Sequence, residues 1–405
     1  MCDIHFIIQN FFKKRKDLFG ENSKYLNFNI PKKKETDYIN SRITFGTIEY
    51  ENNGKKHFSE SLCLKQTPDI IYFQFFNTAS FSNELYFYAK MLPFFKTIEP
   101  NINLFSKFYD GGVEMNEKED DAYLILEDLR VHGFVDGKYG LFQDFQHLSL
   151  MMRKLGEFHS FSYKARITNS YLFTSLSSCF SPIILTIIND FRPAMETNMK
   201  LLLEYLRNDP KYSKKLTVLE TFFENPYDAW RESVQTYWKN STSVISHLNY
   251  LARNALFRYV NDVPVDMKIL DMAYCLLLSP GVDISYLLYI SADQRMRDDH
   301  WNDLIDEYYG GLNEHCNSAE IPTKDFIKNE INRNSCTFAL LSAVTYLPQL
   351  VRKYKTTASH SKSNSIKESK KNLVTVFEDA ARVNGMKEVL DIFKDAIDRG
   401  FFEFK

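Results

Sequence analysis

The sequence predicts a two-lobed α+β protein, with a small strand-rich lobe followed by a larger helical one. Three features of the chain carry that expectation. Its 405 residues exceed what one hydrophobic core ordinarily serves, since single cores stop growing near about 250–300 residues. Between residues 41 and 126 most short apolar runs have the length and turn signals of strands. Beyond residue 140 the apolar spacing changes to the three-to-four-residue period of helices.

Taken in order, residues 1–36 are mixed and polar, end on Lys32-Lys33-Lys34, and are expected to pack loosely as an N-terminal extension. The first lobe is expected over 37–126. Its runs Ile43 to Ile48 and Ser61 to Lys65 flank a turn at Asn52-Asn53-Gly54. Apolar residues at 81, 85, 87, 88 and 91 predict an amphipathic helix stopped by Pro93. Phe105 to Tyr109 and Ala122 to Leu126 read as strands around a glycine-rich, acidic turn.

The second lobe is expected over 127–405. Apolar residues at 145, 148, 151, 152, 155 and 158 form a helical stripe. Further helices are expected near 182–207, 214–224, 227–238, 297–311, 323–333, 335–353 and 373–398. A strand pair, Ala255 to Val260 and Val265 to Leu270, interrupts them around a turn at Asn261 to Pro264. The Lys/Ser/Thr-rich stretch 353–371 has no apolar stripe and reads as a mobile loop.

Composition narrows the function classes. Fifty basic against 52 acidic residues leave a net charge of −2, so no global basic field holds nucleic acid. No window offers about 18 uninterrupted apolar residues, so no membrane span is expected. Six scattered cysteines contain no C-x-x-C pair and read as free thiols of a reducing compartment, which predicts a cytoplasmic protein.

A sheet lobe followed by a helical lobe suits phosphoryl transfer, which needs a cation on the phosphates, metal-binding oxygens and a base near the acceptor hydroxyl. Lys65, at a strand end, supplies a candidate cation, and Glu84 on the next helix a carboxylate to hold it. Taken singly, each is more plainly an ordinary surface charge. His159 on an apolar helix face reads as a satisfied core histidine, and Asp271 has the rival reading of a turn residue at a strand end.

Several motifs together resemble the ecdysteroid kinase-like proteins of the choline kinase-like group. Phe81-Ser82-Asn83-Glu84-Leu85-Tyr86-Phe87-Tyr88 is similar to their first-lobe helix, and Leu124 to Leu129 followed by Gly133-Phe134 to their hinge. Leu155 to Ser162 resembles their L-A-x-F-H-A-x-S helix. His247 to Phe257 resembles their H-G-D-x-W-x-x-N-x-x-F loop, Asp271-Met272-Ala273 stands where they carry D-F-Q, and Asp283 matches a later D-L-x-Y-F segment. The likeness runs in order over roughly residues 40–400.

The resemblance implies a protein-kinase-like fold of the aminoglycoside phosphotransferase and choline kinase kind, and ATP with Mg²⁺ as cofactors. Lys65 would contact the phosphates, Glu84 would position it, and the backbone of Leu126, Glu127, Asp128 and Leu129 would hold adenine. Asn254 and Asp271 would bind magnesium through oxygen. Ser41 matches the serine of the phosphate loop, near residues 36–42, which here lacks glycine. The family's catalytic aspartate falls on Asn249, the glycine that follows its histidine is Leu248 here, and its tryptophan is Leu251. An amide cannot take the proton of an acceptor hydroxyl, and losing a general base costs about 10²–10⁴ in rate. Two expectations follow: an ATP-dependent small-molecule kinase with impaired transfer to a hydroxyl, or a pseudokinase that binds nucleotide or another ligand without turnover.

Overall fold

The computed structural model describes residues 3–31, 36–38, 41–67, 74–115, 120–216, 219–220, 224–235, 242–318, 320–332, 337–345, 347 and 386–401. The first lobe is built on an antiparallel sheet of seven strands. Its path runs from β1 (Lys24–Asn29) through β3 (Ser41–Asn52), β5 (Leu62–Gln66) and β7 (Asp120–Glu127) to β6 (Phe108–Met115). Two further strands, β2 (Thr36–Tyr38) and β4 (Lys55–Phe58), pair with β3. The turn at Asn52-Asn53-Gly54 forms as expected: Asn53 and Gly54 both take positive φ and join β3 to β4.

Period-two alternation divides this sheet between two cores. Leu62, Leu64 and Ile125 face one way, onto Ile7, Ile8, Phe11 and Phe12 of α1 (Ile4–Lys14) and Phe19 of the short α2 (Lys16–Phe19). Leu124 and Leu126 face the other way, into the core that continues through the helical lobe. The segment before residue 30 is therefore packed, not loose. Asp3 caps α1 by accepting from the His5 N–H, and Lys13 and Lys14 sit in its last turn, where a cation suits the helix dipole. The lysine run at 32–34 lies outside the described residues.

Two expectations about breakers differ from the structure. Pro93 does not stop the helix: α3 (Gln74–Tyr86) passes through a π-helical turn, Phe87–Met91, into α4 (Leu92–Ile98). The Leu92 N–H bonds the Phe87 carbonyl five residues back, and this wider turn accommodates the proline ring that an α-turn would crowd. Gly111 and Gly112 lie inside β6, not in a turn, and pair with Leu124 and Tyr123. A Cβ at Gly111 would sit 2.7 Å from Leu85 Cδ1, so the residue is there for close packing of sheet on helix.

In the helical lobe, α5 (Phe145–Ser177) starts at the Asp144 cap and breaks at Asn169, whose side chain caps the continuation at the Leu172 N–H. It packs along the helix Gln294–His315 at glycine contacts: a Cβ on Gly156 would collide with the Tyr308 carbonyl, and one on Gly311 with that of Arg153. A small sheet orders β11 (Val263–Ile269), β10 (Ala255–Val260) and β8 (Val135–Asp136), while β12 (Leu276–Leu278) pairs with β9 (Val244–Ser246). The turn expected over Asn261 to Pro264 is shorter. Asn261 and Asp262 alone take positive φ, and Pro264 lies within β11, an edge strand with a register shift nearby.

Helices occupy Ile183–Asp190, Arg192–Arg207, Pro226–Gln235, Pro280–Ser291, Lys324–Glu330, residues 337–345 and Met386–Asp398. The expected loop at 353–371 and the start of the last expected helix, 373–385, lie outside the described residues. Among the described residues, no helix is long and apolar enough to cross a membrane.

Candidate functional site

Alternation along β5 turns Cys63 and Lys65 away from α1 and toward α3. From α3, Glu84 meets Lys65 at 2.6 Å, Oε2 to Nζ, and from the turn two residues beyond β11 Asp271 meets it at 2.7 Å through Oδ1. The Lys65 ammonium thus lies between two carboxylates, with the Phe81 ring 5.7 Å away. Only 11% of its side chain and 2% of that of Glu84 are exposed, against 30% for Asp271.

Burial alone would lower the Lys65 pKa, but Asp271 and Glu84 outweigh it and hold the ammonium charged. Burial pushes the Glu84 carboxyl above its ordinary value despite Lys65. Burial also opposes ionisation of Asp271, but there the Lys65 charge and hydrogen bond win and the carboxyl lies below its ordinary value. Asp271 has φ 63° and ψ 61°, a left-handed conformation that costs a non-glycine residue about 1–3 kcal/mol. Asn83 holds the adjoining turn against α3 by donating to the Ala273 carbonyl at 3.1 Å and to that of Ser181 at 2.9 Å.

The loop from β9 to β10 carries the second group. The Leu270 N–H donates to the Asn254 carbonyl at 2.9 Å, which brings Asn254 beside Asp271. The Asn254 amide nitrogen donates to the Asn249 carbonyl at 2.8 Å, leaving its oxygen for a ligand. His247 donates from Nε2 to the Leu270 carbonyl at 2.9 Å and accepts the Asn249 N–H at Nδ1. This histidine is thereby a brace of the loop. The Asn249 side-chain oxygen accepts from Arg253 at 3.3 Å. Leu248 follows the path of a glycine at φ 63° while its side chain is buried.

What holds that path is Asp283, fully buried on the helix Pro280–Ser291. Its Oδ2 accepts the His247 N–H at 2.7 Å and its Oδ1 the Leu248 N–H at 2.8 Å. His159 lies against the same carboxylate at 3.3 Å and against Tyr308 at 3.0 Å, a satisfied core histidine as the sequence suggested.

At the end of β7 the Glu127 N–H is bonded to the Lys107 carbonyl and the Asp128 N–H to that of Ser61. The Leu129 N–H opens a 3₁₀ turn, Leu129–His132, and so has no partner within it. Leu126 is paired into the sheet opposite Cys63. The Asp128 carboxylate accepts from Ser61 and Arg130. Ser41 is buried at the start of β3, opposite Tyr38 in a glycine-free hairpin whose turn, 39–40, lies outside the described residues. It stands two residues from Ile43, the strand partner of Lys65.

Lys65, Glu84 and Asp271 thus form one cluster, with Asn249 and Asn254 joined to it through Leu270. Sequence reasoning passed over Asn83, Arg130 and Arg253 and gave Asp283 no role. A lone acid in the apolar run Val282-Asp283-Ile284 was the available signal, since a carboxylate there must be paired. Among the described residues no three His, Cys, Asp or Glu side chains gather as a metal site. One carboxylate and one amide oxygen nevertheless suit a magnesium ion shared with phosphates, which needs few protein ligands.

These features define a two-lobed, kinase-like protein. The family model of the ecdysteroid kinase-like family matches residues 36–321, and the chain belongs to that family. Among solved structures it is similar to a variant of aminoglycoside 2'-phosphotransferase-IIIa in complex with GDP, with 11% identity, 98% of this chain and 97% of that chain covered, and a TM-score of 0.44. It is also similar to a microcompartment-associated aminopropanol kinase, with 11% identity, 95% and 99% covered, and a TM-score of 0.39. No curated protein matches it.

Proposed function

We propose that this chain binds ATP with Mg²⁺ and that its transfer of phosphoryl groups to a small-molecule hydroxyl is impaired at Asn249. The observation that carries the reading is the Lys65 ammonium held between Glu84 and Asp271, a fixed cation where phosphates need one. Lys65 would take the phosphates, with Glu84 as its anchor. Asp271 and Asn254 would hold the metal, which when bound neutralises phosphate charge. The Leu129 N–H would donate to the adenine. The cytoplasm, with its ATP and reduced thiols, is the proposed location.

The experiment is thermal unfolding with and without Mg²⁺–ATP. Ligand at a hundredfold excess over its Kd stabilises the native state by about 2.7 kcal/mol, so the midpoint is expected to rise and to need magnesium. No rise at millimolar nucleotide would overturn the reading.

Asn249 also sets what activity remains. Its amide accepts a hydrogen bond but cannot become a general base. Asn249→Asp is expected to raise turnover with a hydroxylated acceptor toward the lower end of about 10²–10⁴, because Arg253 beside it would stabilise the new carboxylate and weaken it as a base. Steady-state assays of both proteins measure the gain. The strained Leu248 favours the second reading, a nucleotide-binding pseudokinase, and an Asn249→Asp protein that binds ATP without gaining turnover would select it.

A further inference from the structure

We infer that Arg130 closes the base end of the cleft: its guanidinium covers the face of Phe45 on which a nucleobase would stack. A base-bearing ligand must then displace it, whereas a phosphate-only ligand need not. This rests on the nucleotide reading above and adds a residue that governs which ligands enter.

Register places Phe45 in the cleft. Phe45 pairs with Cys63 and Cys63 with Leu126, one row along from Ile43, Lys65 and Leu124. Residues directly opposite in an antiparallel pair share a face, so Phe45 lies on the face of Lys65, one two-residue strand repeat (about 7 Å) away. The segment Leu126 to Leu129 passes the same row. Phe45 is thus the ring beside the hinge backbone.

Arg130 lies over one face of that half-buried ring. Its guanidinium carbon is 3.2 Å from the Phe45 centroid, a contact distance that leaves no room for another ring between them. Asp128 fixes the group bidentately, with Nε to Oδ1 at 2.8 Å and Nη2 to Oδ2 at 2.7 Å. Asp128 is itself anchored by the Ser61 hydroxyl at 2.7 Å. The backbone beneath is a 3₁₀ turn ended by Gly133 at φ 80°, so opening is a matter of side-chain rotation. With 49% of its side chain exposed, Arg130 has solvent to rotate into.

The test titrates the full chain and an Arg130→Ala variant with Mg²⁺–ATP and with Mg²⁺–tripolyphosphate by calorimetry. Losing a half-exposed ring contact and ion pair weakens base entry about tenfold, so the variant is expected to bind ATP about tenfold more tightly with unchanged affinity for tripolyphosphate. Because removing Arg130 leaves the buried Asp128 carboxylate unpaired, Asp128→Asn/Arg130→Ala carries the same expectation with no charge left behind. Equal ATP affinity in all three proteins overturns the inference, as does weaker binding by both variants, which would make Arg130 a contact of the base. If none of the three proteins binds either probe, the nucleotide reading itself falls and the inference with it.

Discussion

Asp283→Ala is expected to cost about 3–5 kcal/mol of stability and to loosen the loop that carries Asn249 and Asn254. The fully buried carboxylate accepts two backbone N–H groups, of His247 and Leu248, and no water can replace it without opening the core. One of the two residues it holds, Leu248, sits in a left-handed conformation that its side chain resists. Without the carboxylate, two buried donors go unsatisfied and the strain is no longer opposed. Asp283→Asn keeps one acceptor oxygen and should fall between the variant and the wild type. Chemical denaturation of the three proteins gives the order, and a loss below about 1 kcal/mol for the alanine variant would mean the loop is held from elsewhere.

Lys65→Met is expected to remove nucleotide-dependent stabilisation and to cost about 3–5 kcal/mol at neutral pH, because Glu84 and Asp271 are left facing one another without a cation. The deficit should depend on pH. In the wild type Asp271 lies below its ordinary value, so its contribution is present above about pH 4 and is lost as pH falls through the lower folded value. Glu84 lies above its ordinary value, and its burial disfavours folding increasingly as pH rises through the folded value. Without Lys65 that folded value moves further up. The gap between variant and wild type is therefore expected to be smaller at pH 5 than at pH 8. Denaturant midpoints at the two values measure it, and a gap that does not change with pH would mean the carboxylates are separated or hydrated.

The parts of this architecture legible in the sequence were those with local chemical causes. Alternating residues around Asn52-Asn53-Gly54 announced a hairpin, and the stripe from residue 145 announced a helix. Lys65 and Glu84 were named together on a strand and the following helix, and the structure brings them to 2.6 Å. The misses came from reading residue types by their usual habit. Pro93 is tolerated because a π-helical turn precedes it, and Gly111 serves packing against Leu85 instead of a turn. Arg130 and Asp283 act through partners that no local pattern encodes: one lies over a ring in another strand, the other under a loop 35 residues earlier.

The Lys65–Asp271 pair joins residues 206 positions apart. Closing a contact of such separation costs more chain entropy than closing a short one, which disfavours its early formation. Glu84, at 19 residues from Lys65, can meet it as soon as β5 and α3 dock. The local half of the triad is accordingly expected to form before the distant half, an order that the effects of Glu84 and Asp271 substitutions on folding rate would measure. A chain with its first lobe formed and its second still loose would hold Lys65 on Glu84 alone. A ligand that needed Lys65 and Asp271 together would therefore engage the chain only once both lobes had come together.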